Sequence, residues 1–283
     1  MTDIKSMTQA EMAAFFKEMG EPAFRAKQVF CWLHKGARSF DEMSNLSKAL
    51  REKLAGYCYI DVPKVERKQV SAIDGTIKYL WRLPDGNCIE TVLMRYKHGN
   101  TVCISCQVGC RMGCAFCAST IGGRVRDLTA SEILGQILAA QNDIGERISN
   151  IVMMGIGEPL DNYDNVVKFL KLVSHEKGLN VSLRNISLST CGLVPEMFKL
   201  ADEGLPVNLT VSLHQPFDEN RKQLMPIAKA YKIAEILKAC DNYFEKTGRR
   251  YIFEYVLIKG ENDTVRHADE LIRLLKGKPC HVN

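Results

Sequence analysis

Five of the eleven cysteines lie within fifteen residues, between Cys103 and Cys117. Three of them, Cys110, Cys114 and Cys117, follow a C-x3-C-x2-C spacing. Three thiolates this close cannot face one point from an extended strand, because successive strand side chains point to opposite faces. A loop can wrap them around one compact iron–sulfur cluster. Three ligands on a four-iron cluster leave the fourth iron open to a substrate or cofactor.

A structural zinc ion is the alternative occupant of this loop, with Cys106 or Cys103 as the fourth ligand. Common zinc sites space their ligands as two separated pairs, whereas here three ligands crowd together and no second pair follows. The spacing therefore favours an iron–sulfur site, and we assign no role to Cys106. The six cysteines outside this segment are scattered and are typical of small buried apolar residues.

The composition is that of a soluble globular protein, with 46% hydrophobic and 25% charged residues. There is no run of about 18 apolar residues and no signal peptide pattern, so we expect a cytoplasmic protein without a membrane span. Clustered thiols in that compartment indicate a metal or catalysis. Residues 1–100 carry 16 Lys and Arg against 12 Asp and Glu. This excess suggests a polyanionic partner, although a solvated surface explains it equally well.

The elements that must position these residues follow two patterns. In residues 1–98, apolar spacing predicts helices over 8–17, 24–35 and 45–54. Strands are predicted near 66–72, 76–83 and 88–94, separated by the turn pairs Asp74-Gly75 and Asp85-Gly86. This part is therefore expected to be a small helical unit followed by a three-stranded antiparallel β-meander.

Residues 99–283 alternate short apolar runs with amphipathic helices, and Thr129 to Glu132 fits a capping box at one helix start. Repeated βα units predict an α/β fold, a partial (βα) barrel with its site at the carboxyl ends of the strands. The cysteine loop follows the first of these strands. We therefore predict two domains, 1–98 and 99–283, the second ending inside a strand at residues 278–283.

The cysteine motif, with the aromatic Phe116 before its last cysteine, resembles the radical-SAM superfamily. The segment Gly155 to Pro159 resembles that superfamily's GGEP-like motif, in which Gly157 lets the backbone approach closely and Glu158 offers a carboxylate to a cation. The resemblance implies a 4Fe-4S cluster whose open iron binds S-adenosyl-L-methionine. Reduction of that cofactor then produces a 5′-deoxyadenosyl radical.

Across nearly the whole chain, the sequence is similar to the RlmN type of radical-SAM enzyme. The blocks that carry this similarity are FRAKQVFCWLHKG (24–36), DEMSNLSKALREKL (41–54), CISCQVGCRMGCAFCAST (103–120), MGIGEPLDNYDNV (154–166), LSTCGLVP (188–195), VSLHQP (211–216) and LMPI (224–227). The resemblance implies a methyltransferase that acts on carbon 2 of an adenine in 23S rRNA and in some tRNAs. The implied partners are these RNAs and an electron donor such as a flavodoxin, and we expect a monomer.

The resemblance also implies roles for individual residues, beginning with Cys110, Cys114 and Cys117 as the cluster ligands. The positions that match cofactor-contacting residues are Gly157, Glu158, Ser189, Ser212, Leu213 and His214. Taken alone, such a serine is typical of an ordinary cap, and such a histidine of a loop residue bonded to the backbone.

Two further residues match the family's catalytic positions. Glu90 lies thirteen residues before Cys103 and matches the proposed general base. Cys103 lies seven residues before Cys110 and matches the second catalytic cysteine. Without the resemblance, Glu90 is typical of a solvated strand carboxylate and Cys103 of a buried strand thiol.

The implied chemistry uses a methylated cysteine, because adenine carbon 2 is not nucleophilic and cannot take a methyl cation directly. Covalent catalysis splits the reaction, and the second cysteine releases the product by forming a disulfide. The methyl-carrying cysteine belongs to a carboxyl-terminal segment that has no counterpart in these 283 residues, and Cys280 is wrongly placed to replace it. We therefore expect a truncated form that cleaves the cofactor without methylating RNA.

Two other functions remain open from the residues alone. One is the related enzyme that methylates carbon 8 of the same adenine, although the segments GEP (157–159) and QVGC (107–110) favour the carbon 2 type. The other is a zinc-stabilised RNA-binding module. The nucleoside product distinguishes the first alternative, and the metal content distinguishes the second.

Overall fold

A computed structural model describes residues 1–283. Its helices are α1 Gln9–Glu18, α2 Ala23–His34, α3 Lys48–Tyr57, α4 Ala130–Ile144, α5 Tyr163–Val173, α6 Val194–Asp202, α7 Asp218–Leu224, α8 Ile233–Thr247 and α9 Val265–Leu275. Its strands are β1 Thr2–Asp3, β2 Cys58–Tyr59, β3 Lys64–Val70, β4 Ile77–Arg82, β5 Cys88–Tyr96, β6 Gly99–Cys103, β7 Gln107–Gly109, β8 Arg124–Asp127, β9 Ile148–Met153, β10 Ile186–Thr190, β11 Asn208–Ser212, β12 Tyr251–Glu254 and β13 Cys280–Val282.

The chain forms two compact units that interleave along the sequence. The first consists of Met1–Ser105, Leu128–Ile151 and Asp164–Ser182. The second consists of Cys106–Asp127, Val152–Tyr163 and Leu183–Asn283. The division into domains 1–98 and 99–283 stays a prediction, since compact packing alone does not identify domains. None of the helices combines the length and apolar character that crossing a bilayer requires.

Helices in the first unit begin where their capping residues predict. Thr8 accepts the amide of Glu11, whose carboxylate accepts the amide of Thr8, and α1 starts at the next residue. The same reciprocal pair joins Thr129 and Glu132 at the start of α4. The predicted capping box is thereby confirmed.

The predicted meander is present in the first unit as β3, β4 and β5, which pair antiparallel in chain order. Gly75 and Gly86 have φ angles of +70° and +88°, the left-handed backbone that such tight turns require. The antiparallel run continues one strand further than expected, because β5 also pairs antiparallel with β6. Beneath it, the rings of Tyr79 and Trp81 stack at 4.6 Å and are fully buried.

The second unit contains the parallel strands, in the order β13, β12, β11, β10. Helices alternate with them along the chain, as the sequence predicts, and α6 packs on α8. Because the strands are parallel, their carboxyl ends meet at one edge, where residues 189–191 and 212–214 lie at the ends of β10 and β11. That edge carries the candidate site.

Candidate active site

A short antiparallel hairpin, not predicted from the sequence, holds the cysteine loop at both ends. β7 precedes the loop and β8 follows it, with Gln107 paired opposite Asp127. At its base, the amide of Cys110 donates to the carbonyl of Gly123 over 3.1 Å. Gly109 has a φ of +72°, and a Cβ there would lie 1.9 Å from the same oxygen. Only glycine fits, so this contact fixes where the loop leaves the hairpin.

The loop itself is a compact turn. The amide of Cys117 donates to the carbonyl of Cys114 over 3.1 Å, and the amide of Ala115 donates to the carbonyl of Leu224 at the end of α7 over 2.8 Å. Cys110 is buried, whereas Cys114 and Cys117 are half-buried. Hydrogen bonds from backbone on both sides therefore hold the three thiols near one another.

A cavity of about 340 Å³ lies next to this loop, at the carboxyl ends of the parallel strands. All three cysteines of the motif line it, together with Phe116. Five residues predicted to contact a cofactor also line it: Gly157, Glu158, Ser189, Ser212 and His214. The sixth, Leu213, is fully buried and does not line the cavity.

At Gly157 the backbone of the cavity wall packs closely against Gln107 and Cys106. Its φ is +109°, and a Cβ would lie 2.6 Å from Gln107 Cβ and 2.9 Å from Cys106 Sγ. Those distances are too short for any side chain, so the position requires glycine. The contact also explains the buried Cys106, whose sulfur packs against this turn.

Glu158 presents a buried carboxylate to the cavity. Its Oε2 accepts the amide of Cys191 over 2.8 Å, and its Oε1 accepts the amide of Leu160 over 3.0 Å. Burial raises the pKa of the carboxyl, and the two backbone N–H groups partly offset this because they stabilise the anion. The carboxylate is therefore held in one orientation by backbone groups.

The end of β10 contributes two lining residues that the sequence did not single out, Thr190 and Cys191. The hydroxyl of Thr190 accepts the amide of Gly192 over 3.1 Å. Burial and the neighbouring Glu158 carboxylate raise the pKa of the Cys191 thiol well above its usual value. Cys191 is therefore a neutral thiol at pH 7.

His214 follows β11 in a left-handed backbone conformation, with a φ of +54°. Its Nδ1 accepts the amide of Val256 over 3.1 Å, which leaves the proton on Nε2. Burial lowers the pKa of His214 to about 4, and the charge of Arg221 adds to this effect. The ring is thus neutral at pH 7 and meets the Phe116 ring edge to face, with centroids 4.9 Å apart.

Arg221 on α7 is fully buried behind the same strand ends. Its Nη2 donates to the carbonyls of Cys191 and Ser212 over 2.8 and 3.0 Å, and its Nε donates to that of Leu213 over 3.2 Å. One guanidinium thus ties the end of β10 to the end of β11. Burial lowers the pKa of Arg221, but an arginine remains charged at pH 7.

A second polar network braces the cysteine loop from its base. Arg111, next to Cys110, donates to both carboxylate oxygens of Asp161. Gln107 donates to Asp161 over 2.9 Å and to Asp127 over 2.8 Å. Burial alone would raise the pKa of Asp161. Hydrogen bonds from Arg111 and Gln107 outweigh this effect and hold the pKa of Asp161 below its usual value. The loop is thereby tied to the segment that follows Glu158.

Glu90 and Cys103 lie on the neighbouring strands β5 and β6 of the first unit and are not among the residues that line the cavity. The Glu90 carboxylate forms an ion pair with Lys78 at 2.7 Å, and its side chain is 42% exposed. Ser105 donates its hydroxyl to the carbonyl of Glu90 over 2.7 Å. Cys103 is half-buried and pairs with Val92 in the strand register.

The three thiols of the motif line one cavity, and no group of three or more His, Cys, Asp or Glu side chains is placed to hold a single metal ion. Burial, with the neighbouring thiols, raises the pKa of Cys114 to about 12, so this thiol would have to lose its proton to serve as a ligand.

Comparisons with known proteins cover both parts of the chain. Residues 2–60 match the family model of the ribosomal RNA large subunit methyltransferase N-terminal domain. Residues 104–275 match that of the radical SAM superfamily. Two curated relatives named "Probable dual-specificity RNA methyltransferase RlmN" come from Lachnoclostridium phytofermentans and Alkaliphilus oremlandii. The first is 58% identical over 99% of this chain and 79% of the relative, and the second 57% over 99% and 82%. The chain belongs to the RlmN family of radical SAM RNA methyltransferases.

A solved structure supports the same membership. The crystal structure of a radical SAM methyltransferase from Sphaerobacter thermophilus superposes with a TM-score of 0.94 at 44% identity. The match covers 100% of this chain and 84% of that chain. The predicted α/β radical-SAM fold with a preceding smaller part is thereby confirmed.

Two residues that position the site, Arg221 and Gln107, were not identified from the sequence. Arg221 lies in a helix rich in charged residues and is typical there of a solvated cation. Gln107 opens the QVGC segment, which favoured one type of enzyme but indicated no role for this side chain. Only the folded structure brings the first to three strand-end carbonyls and the second to Glu158, whose amide donates to Gln107 Oε1 over 2.9 Å.

Proposed function

We propose that this chain supplies the catalytic framework of an RNA methyltransferase that acts on carbon 2 of an adenine in 23S rRNA and in some tRNAs. One observation carries the proposal. Three thiols of one loop and the predicted residues at three strand ends surround a single cavity of about 340 Å³ in a chain of the RlmN family. Such a cavity has the size of a typical cofactor site.

The residues fit the two cofactors of the superfamily. Cys110, Cys114 and Cys117 would hold a 4Fe-4S cluster, since the three thiols share the cavity wall. Gly157, Glu158, Ser189, Ser212, Leu213 and His214 would bind S-adenosyl-L-methionine, Leu213 through its backbone alone. When bound, the two cofactors supply one-electron reductive cleavage and with it the power to abstract a hydrogen atom from a methyl group.

The chain's own groups position and protect that chemistry. The Glu158 carboxylate, fixed by two backbone amides, suits the ammonium group of an amino acid. Neutral His214 offers an Nε2–H donor, because its Nδ1 is occupied by Val256. The apolar side chains of Phe116, Met153 and Met225 line the cavity and limit the access of water to it.

Glu90 and Cys103 are proposed as the general base and the thiol that releases the product. Their places on adjacent strands support this, because residues on neighbouring strands serve one substrate group more readily than distant ones. Lys78 pairs with the Glu90 carboxylate at 2.7 Å. The disulfide is proposed as a step of the reaction.

The partners follow from the same proposal. The region 1–98 is proposed as the RNA-binding accessory domain, supported by its basic balance of 16 Lys and Arg against 12 Asp and Glu in residues 1–100. An electron donor such as a flavodoxin would reduce the cluster. We propose a monomer in the cytoplasm, where the target RNAs are found. The names of the relatives do not favour a zinc-stabilised module.

The test uses the complete gene product that contains these 283 residues. Reconstituted anaerobically, it is incubated with reductant, S-adenosyl-L-methionine and ribosomal RNA that lacks the modification. Mass analysis of the digested RNA is expected to show 2-methyladenosine. A product consisting of 8-methyladenosine would instead place the chain with the carbon 8 enzymes. Bound zinc in place of iron, with no product, would overturn the assignment as an enzyme.

A further inference from the structure

Helix α2 has an exposed face that combines cations with aromatic rings and lacks acids. Residues 22–40 contain four Lys and Arg residues, Arg25, Lys27, Lys35 and Arg38, and no Asp or Glu. None of the four forms an ion pair, whereas Lys53 pairs with Glu21 and Lys68 with Asp143 in the same unit. Arg25 and Lys27 lie on α2, and Lys35 and Arg38 follow its end. Uncompensated charge of one sign in one short segment attracts polyanions.

The periodicity of α2 separates this face from the buried one. Ala26, Val29, Phe30 and Leu33 point into the core. Phe24, Lys27, Cys31 and Lys35 recur at three- and four-residue spacing, which places them along one opposite stripe. They line an open groove of about 440 Å³ together with Trp32 and Asn45. These six residues are called the α2 face.

Local contacts hold the aromatic rings of the α2 face in place. Phe24 is 57% exposed, and the guanidinium of Arg25 lies 4.8 Å from its ring centroid. The Nε1 of Trp32 donates to the Oδ1 of Asn45 over 2.7 Å. A large apolar ring kept at the surface by a cation is a ready stacking platform. No carboxylate lines the groove.

We infer that the α2 face binds single-stranded RNA, with Lys27 and Lys35 at phosphates and Phe24 under a base. The lysine charges complement the phosphates of RNA. The exposed ring can stack on a base, and a polyanion without bases cannot make this contact. The identification of the polyanion as RNA rests on the proposed function. The inference adds a surface for RNA whose residues are not among those that line the cofactor cavity.

The experiment measures RNA affinity by fluorescence anisotropy as a function of salt, using a labelled single strand of about 12 nucleotides and an unmodified tRNA transcript. The K27Q/K35Q variant is compared with the control K17Q/K48Q, which loses the same charge from exposed positions on α1 and α3. The F24A variant tests stacking. Circular dichroism and iron content establish that each variant is folded.

Removing two phosphate contacts should lower the slope of log K against log salt by about 1.4 for a single strand. F24A should weaken binding about ten-fold without changing that slope. The control should match wild type in both. Equal affinity and slope in K27Q/K35Q and wild type would overturn the inference while leaving the proposed function intact.

Two other outcomes separate the alternatives. Wild-type protein that binds neither RNA would count against the proposed function as well as the surface. Displacement of the RNA by polyglutamate at equal charge concentration, with no effect of F24A, would assign the face to an acidic protein and contradict the inference.

Discussion

The rings of Phe116 and His214 meet edge to face, with centroids 4.9 Å apart. One belongs to the cysteine loop and the other follows β11, and both line the cavity. Because Phe116 lies between Cys114 and Cys117, the contact couples the position of two predicted cluster ligands to that of a predicted cofactor residue. The loop and the strand ends therefore form one site.

Gly157→Ala is expected to destabilise the turn and weaken cofactor binding strongly. A Cβ there would lie 2.6 Å from Gln107 Cβ, in addition to the strain of a φ of +109°. Gly204→Ala is the matched control, because it has a φ of +63° but nothing within 4 Å of the added Cβ. The control should lose only about 1 kcal/mol of unfolding free energy. Isothermal titration with S-adenosyl-L-methionine and thermal melts measure both effects. Equal behaviour of the two variants would show that the close contact is unimportant.

Arg221→Met is expected to lower the free energy of unfolding by about 3 kcal/mol or more, because three carbonyls at the ends of β10 and β11 lose the buried guanidinium that donates to them. The cavity should also lose affinity for the cofactor, since the ends of β10 and β11 are no longer tied. The exposed Arg266→Met is the control and should change stability by less than about 0.5 kcal/mol. Urea unfolding decides the question. A stable R221M variant with wild-type affinity would mean that the carbonyls find other partners.

Glu90→Gln, in the complete gene product, should keep the cluster and the cleavage of S-adenosyl-L-methionine but form no methylated adenine. The amide keeps the shape of the side chain and removes the base. Glu66→Gln on the adjacent part of the meander is a close control, because Glu66 is similarly exposed and pairs with Arg82 at 2.7 Å. It should retain full product formation. Normal turnover of E90Q in the nucleoside assay would remove Glu90 from the mechanism.

His34 is expected to make the protein less stable in acid. Burial lowers the pKa of His34 to about 3, with smaller contributions from His175 and Lys5. An unfolded histidine binds a proton below about pH 6.5, but native His34 does not, so acid favours the unfolded chain. The contribution of neutral His34 to the free energy of unfolding is complete above that pH. The free energy of unfolding should fall by about 2 kcal/mol between pH 7 and pH 5.

His34→Gln removes this titration, so its free energy of unfolding should depend less on pH over the same interval. Urea unfolding at several pH values gives the comparison, and any uniform loss of stability from the substitution does not alter it. An unchanged pH dependence in H34Q would show that His34 is protonated in the native protein.

The sequence predicted the elements well where local chemistry decides them. The capping residues Thr8 and Thr129 locate two helix starts, and the turn pairs locate the meander. It predicted less well where distant groups intervene. The apolar run YIFEYVLI spans residues 251–258, but β12 ends at Glu254. Beyond it, Asn262 accepts the amide of Ile258 and donates to the carbonyl of Val256, which draws the chain away from the ladder.

The candidate site shows the same division. The cysteine spacing and the strand-end motifs indicated most of the cavity lining, because residue type alone carries that chemistry. Leu213 matched by position, yet its side chain is buried and only its backbone faces the neighbouring strand end, donating to the carbonyl of Glu254 over 3.1 Å. Arg221 and Gln107 act through contacts between segments far apart in the chain, which no local pattern records.

The central claim is that one cavity holds the cluster of Cys110, Cys114 and Cys117 beside S-adenosyl-L-methionine. The most direct test is electron–nuclear double resonance on the anaerobically reconstituted and reduced protein, with the cofactor isotopically labelled at its amino and carboxylate groups. We predict coupling of both labels to the cluster in wild type and in Cys240→Ala, whose thiol is buried away from the cavity lining. Cys114→Ala should lose the cluster signal. A wild-type cluster without coupling to either label, or a full cluster in C114A, would contradict the account.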